Sequence, residues 1–83
     1  MNKIEIDCIK YPTKKELLSY LRENLEEMYS LNYDSLIDAL TGYRFPLEII
    51  VKNKTLYEDY PNLNDILKIA TTDNKNIHVS YLD

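Results

Sequence analysis

Polar and apolar residues alternate from Lys3 to Cys8, with Ile4, Ile6 and Cys8 on one side and Lys3, Glu5 and Asp7 on the other. Period-two alternation predicts a half-buried strand over residues 3–8. Pro12 then marks a turn, and Thr13-Lys14-Lys15-Glu16 has the spacing of a capping box. In that motif a threonine and a glutamate three residues later satisfy the orphan amides of a helix start. Leu17, Leu18, Leu21 and Leu25 follow at helical spacing, so a helix with one apolar stripe is expected over residues 13–27. After Tyr29-Ser30-Leu31, Asn32 is a good N-cap, and Tyr33, Leu36, Ile37 and Leu40 stand at i, i+3, i+4 and i+7. Gly42, the only glycine, stands where a left-handed residue would close this helix, which is expected at about 33–41.

Residues 46–53, PLEIIVKN, form a nearly continuous apolar run rich in β-branched residues, which predicts a strand buried on both faces. Residues 54–61 are more polar, with room for one loose turn. Pro61-Asn62 or Asn64 opens a helix to about Thr71, with Leu63, Ile66, Leu67 and Ala70 inward, and a last strand covers residues 77–82. The order is β-α-α-β-(turn)-α-β. Helical crossovers imply parallel strands, and right-handed connections set the helices on one face of a three-stranded parallel sheet. The expected class is α/β, in one domain over residues 1–83 without repeats or an internal linker.

Composition narrows the function. The chain is 45% apolar, enough for a compact globule, and its formal net charge is −4. A sequence pI near 4.9 argues against nucleic acid or an anionic membrane as partner and suits a basic one. The single cysteine, Cys8, allows no intramolecular disulfide and fits a cytoplasmic location. The N-terminus lacks an apolar run of signal-peptide length, and no stretch approaches the roughly 18 apolar residues of a membrane span.

Enzyme signals are sparse. His78, the only histidine, is out of phase with Ile77, Val79 and Tyr81, and Cys8 continues an apolar alternation. One histidine and one cysteine make no soft-ligand metal site, and one glycine makes no phosphate loop, so neither metal nor cofactor is expected. Ser19, Ser30, Ser35 and Ser80 have no base near them in sequence.

One local rule is broken. Asp34 and Asp38 stand one turn apart on the second helix, which holds no lysine or arginine. Like charges at i and i+4 repel by a few tenths of a kcal/mol. Asp34 is in the first turn, where the helix dipole welcomes it, whereas Asp38 is nearer the end where the dipole opposes a negative charge. The pair could be solvated surface groups, a carboxylate dyad or divalent-metal pair of an enzyme, or a binding site.

The run Asn32-x-Asp34-x-Leu36-x-Asp38-Ala39-Leu40-Thr41-Gly42-Tyr43, followed by Pro46-Leu47 and an apolar strand, resembles the barstar family, which carries N-L-D-A-L-W-D-A-L-T-G-W before a proline and a buried strand. The motif covers residues 29–47; element order and length agree over the whole chain. The resemblance implies a small, acidic, cytosolic bacterial inhibitor of barnase-type ribonucleases, with no enzymatic activity and no cofactor. It implies a sheet in order 1-2-3 with three to four helices packed on it. The second helix and the loop before it, residues 29–43, would plug the nuclease active site one to one, with carboxylates in the place of RNA phosphates.

By position, Asp38 matches the family's central carboxylate and Asp34 its second acidic contact. Thr41, Gly42 and Tyr43 match the helix end and flanking aromatic, and Tyr29 matches one of two loop tyrosines; Asn32 and Ile37 fall within the same surface. The chain departs from the pattern at Met28, in place of the other loop tyrosine, at Ser30, in place of a loop glycine, and at Ile37, in place of a tryptophan. An interfacial glutamate of the family's last helix aligns near Thr72, with Asp73 beside it. These departures imply a nuclease related to barnase rather than barnase itself. Two alternatives stand beside this: a barstar-fold immunity or binding protein for a basic partner of another fold, and a carboxylate- or metal-dependent enzyme.

Overall fold

The computed structural model describes residues 2–82. Strand β1 (Asn2–Asp7) leads to helix α1 (Lys14–Asn24) and helix α2 (Tyr33–Thr41). Strand β2 (Leu47–Lys52), a single 3-10 turn (Lys54–Leu56), helix α3 (Tyr60–Asp73) and strand β3 (Ile77–Leu82) complete it. The strands form one parallel sheet in the order β1-β2-β3. Asn2 is level with Leu47, and Leu47 with Ile77, so the strands run in step from end to end. Among the described residues no helix is long and apolar enough to cross a membrane.

Alternation along the strands decides which face is dry. Ile4, Ile6, Leu47, Ile49, Val51 and Ile77 are buried under the leucine stripes of the helices, with Cys8 among them. β2 is not buried on both faces as its apolar run predicts. Glu48, Ile50 and Lys52 turn to the other side, which no helix covers, and are only half-buried. Lys52 there pairs with Glu5 of β1 at 3.3 Å, and His78 of β3 is exposed.

Helix ends depart from the reading of periodicity in three places. The Thr13 hydroxyl caps α1 by accepting from the Glu16 amide (3.3 Å) and donating to the Glu16 carboxylate (2.8 Å). However, α1 stops at Asn24 rather than residue 27, and Leu25 is extended. Leu25 and Met28 still reach the core, because a turn closed by the Met28 amide on the Leu25 carbonyl (3.0 Å) keeps their three-residue spacing. At its start, α3 reaches back to Tyr60, since Pro61 has no amide to lose in a first turn. Gly42 closes α2 at φ −89° and ψ 0°, not in the left-handed region. The described left-handed residue is Asn53, φ 56°, ahead of the 3-10 turn.

Candidate functional site

Helix α2 forms because Asn32 caps it and its inner face is apolar. The Asn32 Oδ1 accepts from the Ser35 amide at 2.8 Å, and its Nδ2 donates to the Ser30 hydroxyl at 3.3 Å. Leu36, Ala39 and Leu40 are buried and Ile37 is half-buried. That orientation leaves Asp34 and Asp38 exposed on the outer face.

Tertiary contacts pin α2 at both ends. At its start, the Tyr33 hydroxyl donates to Asp59 Oδ2 at 2.8 Å and lies 2.9 Å from the hydroxyl of buried Tyr57. Lys14 Nζ stands 4.4 Å from the Tyr33 ring centre. Burial first, then these hydrogen bonds, raise the Tyr33 phenol well above its ordinary value. The 57–59 segment is in turn tied to α1, through Glu58 Oε2 accepting from the Lys14 amide at 2.7 Å.

At the other end, Asn74, just beyond α3, reaches across. Its Nδ2 donates to the carbonyls of Leu40 (2.9 Å) and Tyr43 (2.8 Å), with Thr41 at 3.4 Å. Its Oδ1 accepts from the Asn76 amide at 3.0 Å. A buried side chain just beyond α3 thereby ties the end of α2 and the loop after it, adding to the bond that the Leu40 carbonyl accepts from the Tyr43 amide at 3.2 Å. The Gly42 amide donates to the Asp38 carbonyl at 3.0 Å. A Cβ on Gly42 would come within 3.2 Å of that same oxygen, which favours the smallest residue there.

The residues singled out from sequence thus divide by role. Tyr29, 64% exposed, donates its hydroxyl to Asp38 Oδ2 at 3.2 Å. Asp34, Asp38, Tyr29 and Gly42 share the exposed surface of α2 and its flanking loops. Asn32 is exposed but committed to capping. The hydroxyl of half-buried Thr41 turns back to the Ile37 carbonyl at 2.9 Å. The half-buried Tyr43 accepts at its hydroxyl from Asn2 Nδ2 (2.5 Å), bracing the loop against β1. Met28 is buried in the core and leaves Tyr29 as the exposed aromatic of this loop. Thr72 and Asp73 are exposed at the end of α3 that Asn74 ties to α2.

Other residues join the surface. A concavity of about 310 Å³ opens beside α2, lined among others by Leu25, Ala39, Glu26, Glu27, Arg44 and Phe45. Glu26 and Glu27 are exposed and Phe45 is 64% exposed. The paired glutamates before Met28-Tyr29 were not singled out from sequence. Nothing local marked the bonds that Asn74 donates, which reach carbonyls 31 to 34 residues away.

Among the described residues, neither Asp34 nor Asp38 is in an ion pair. No three His, Cys, Asp or Glu side chains converge there as a metal would need. The surface offers carboxylates on a rigid helix to cations from outside. A carboxylate has about four acceptor positions, and Tyr29 occupies one on Asp38. No family model matches the chain, and no curated protein matches it.

Proposed function

We propose that the chain is an inhibitor of a bacterial extracellular or toxin ribonuclease, acting in the cytoplasm and blocking the enzyme's basic active site with residues 29–43. The observation that carries this reading is the exposed Asp34 and Asp38 pair on a helix anchored at both ends, without a cation of its own to neutralise it. A site that cleaves RNA must hold phosphates and so is lined by arginine, lysine or histidine. Carboxylates fixed on a helix accept charge-assisted bonds from such groups in place of phosphate oxygens. The Tyr29 bond holds the Asp38 side chain before the partner arrives, which lowers the ordering cost of association. Exposed Glu26 and Glu27 enlarge the acidic surface, and Tyr29 and Phe45 supply apolar contact at its margins. The resemblance of residues 29–47 to the barstar segment supports the same reading, as does the order β1-β2-β3 of the parallel sheet.

The test is stoichiometric inhibition. Added at one equivalent to a barnase-type ribonuclease encoded beside it, the protein should abolish RNA cleavage and should not cleave RNA itself. RNA turnover by the protein alone, or undiminished cleavage at several equivalents, would refute the proposal.

A further inference from the structure

β3 is an edge strand, and its free edge is chemically unlike that of β1. Main-chain groups alternate direction along a strand, as side chains do. The Leu47 amide donates to the Asn76 carbonyl at 2.9 Å, so even-numbered residues of β3 turn their main chain toward β2. Val79 and Tyr81 turn theirs outward, and among the described residues no group bonds them there. The same odd-numbered side chains face the helix layer. Ile77 is buried, Val79 half-buried and Tyr81 exposed, and with Leu67, Lys68 and Thr71 of α3 they line an open groove of about 440 Å³, with Lys54 Nζ 5.1 Å from the Tyr81 ring centre. The Tyr81 hydroxyl donates to Asn64 Oδ1 at 3.2 Å, which holds the ring along that groove.

Residues 77–82 contain no Lys, Arg, Asp or Glu, although such residues make up 29% of the chain. The opposite edge is guarded. The bond from the Asn2 amide to the Pro46 carbonyl turns even residues of β1 inward, so its outward main chain belongs to Lys3, Glu5 and Asp7. Self-pairing of β1 about Glu5 would set the two Glu5 carboxylates opposite each other, while Lys3 of each copy would face Asp7 of the other.

We propose that the β3 edge is the interface of a homodimer, in which a second copy adds its own β3 antiparallel about a two-fold axis between the two Val79 residues. In this register the Val79 residues exchange both N–H···O bonds, and Tyr81 of each copy faces Ile77 of the other. Opposite residues of an antiparallel pair share a face, so each Tyr81 ring extends toward the groove beside the other copy's Ile77. The edge is self-complementary in main-chain direction and in apolar matching, with the Ile77 amide alone already donating within the chain, to the Asn74 carbonyl at 3.2 Å, and the two-fold closes at two copies. A six-residue edge spans only about 20 Å, short of an interface with about 800 Å² per partner, so the dimer belongs to high protein concentration.

Sedimentation equilibrium of the full chain tests this. Between about 10 μM and about 1 mM, the range of a weak contact, the mean mass should rise from the monomer's 9.9 kDa toward twice that. Val79→Pro removes an outward N–H without touching the bonds to β2, since proline is tolerated where a strand's N–H faces solvent, and should hold the mass at the monomer. Tyr81→Lys, which sets a cation into the groove, should do the same should the proline variant fail to fold. In the unaltered protein, the Val79 and Tyr81 amides should exchange hydrogen more slowly as concentration rises. A mass that stays monomeric to about 1 mM would overturn the proposal. So would dimerisation that both folded variants retain, or association that leaves those two amides unprotected.

Discussion

Replacing Asn74 by alanine should loosen α2 from a distance. Asn74 is 8% exposed and makes two short donated bonds, to the Leu40 and Tyr43 carbonyls, and accepts one from the Asn76 amide. At about 1 kcal/mol net for each bond the sum is about 3 kcal/mol. A water entering the vacated polar space would recover part of it, leaving a loss of about 2–3 kcal/mol. For a domain of this size that lowers the melting temperature by about 10–20 °C. Asn74→Asp keeps the shape but replaces the donating amide by a carboxylate facing carbonyl oxygens, so at neutral pH it should cost more than alanine.

That second variant should also acquire a pH dependence. Burial and the carbonyls would raise the new carboxyl above its unfolded value near 3.9, so the folded state would hold its proton longer than the unfolded state. The folded state then binds more protons, and stability falls as pH rises past about 4 and levels off above the folded value. Thermal melts of the three proteins from pH 3 to 8, read by circular dichroism, measure both effects. An aspartate variant as stable as the alanine variant at neutral pH would refute the assignment of the amide as donor to α2.

Four further outcomes follow. Asp38→Ala should weaken binding to the cognate nuclease by about 3–5 kcal/mol, the cost of stranding a buried cationic partner, and Asp34→Ala by less; melting should be unchanged or slightly raised, since repulsion at i,i+4 is relieved and alanine favours the helix. The association rate with that nuclease should fall steeply with added salt while dissociation changes little, as stopped-flow fluorescence can show. Ser35→Ala should leave stability equal or raise it by up to about 1 kcal/mol in urea unfolding, because the Ser35 hydroxyl is buried without a partner. Tyr33, its phenol raised in the fold, keeps its proton where the unfolded chain loses it, so stability should drop as pH climbs past about 10; Tyr33→Phe should cost about 1–2 kcal/mol at neutral pH and flatten that alkaline limb in melts at pH 8–11.

Much of the fold was legible in the sequence because the deciding interactions are local or periodic. The Thr13 and Asn32 caps act on amides three residues ahead, and the alternation of Ile4, Ile6 and Cys8 sorts them to the dry face whatever the neighbouring strand is. The Asp34 and Asp38 pair was legible for the same reason, as a local preference broken within one helical turn. Other features depend on what lies opposite. β2 is apolar on both sides by composition, yet all the helices pack on one, so Ile50 remains half-buried. The end of α1 was misplaced because Leu25 and Met28 keep the same spacing in a turn as in a helix. Gly42 closes α2 without a left-handed backbone, its own amide donating to the Asp38 carbonyl and the Tyr43 amide to the Leu40 carbonyl, while Asn74, more than 30 residues away, adds a bond to the Leu40 carbonyl and one to the Tyr43 carbonyl. Tyr33 reads in sequence as one apolar position of a stripe; only the packed chain brings it to Tyr57 and Asp59 and makes it the anchor of α2. Sequence by itself settled the order and type of the helices and strands and the inward stripes of β1, α1, α2 and α3. Tertiary structure decided how α2 is held, because the hydrogen bonds that hold it join residues 24 to 34 apart, and no local pattern records them.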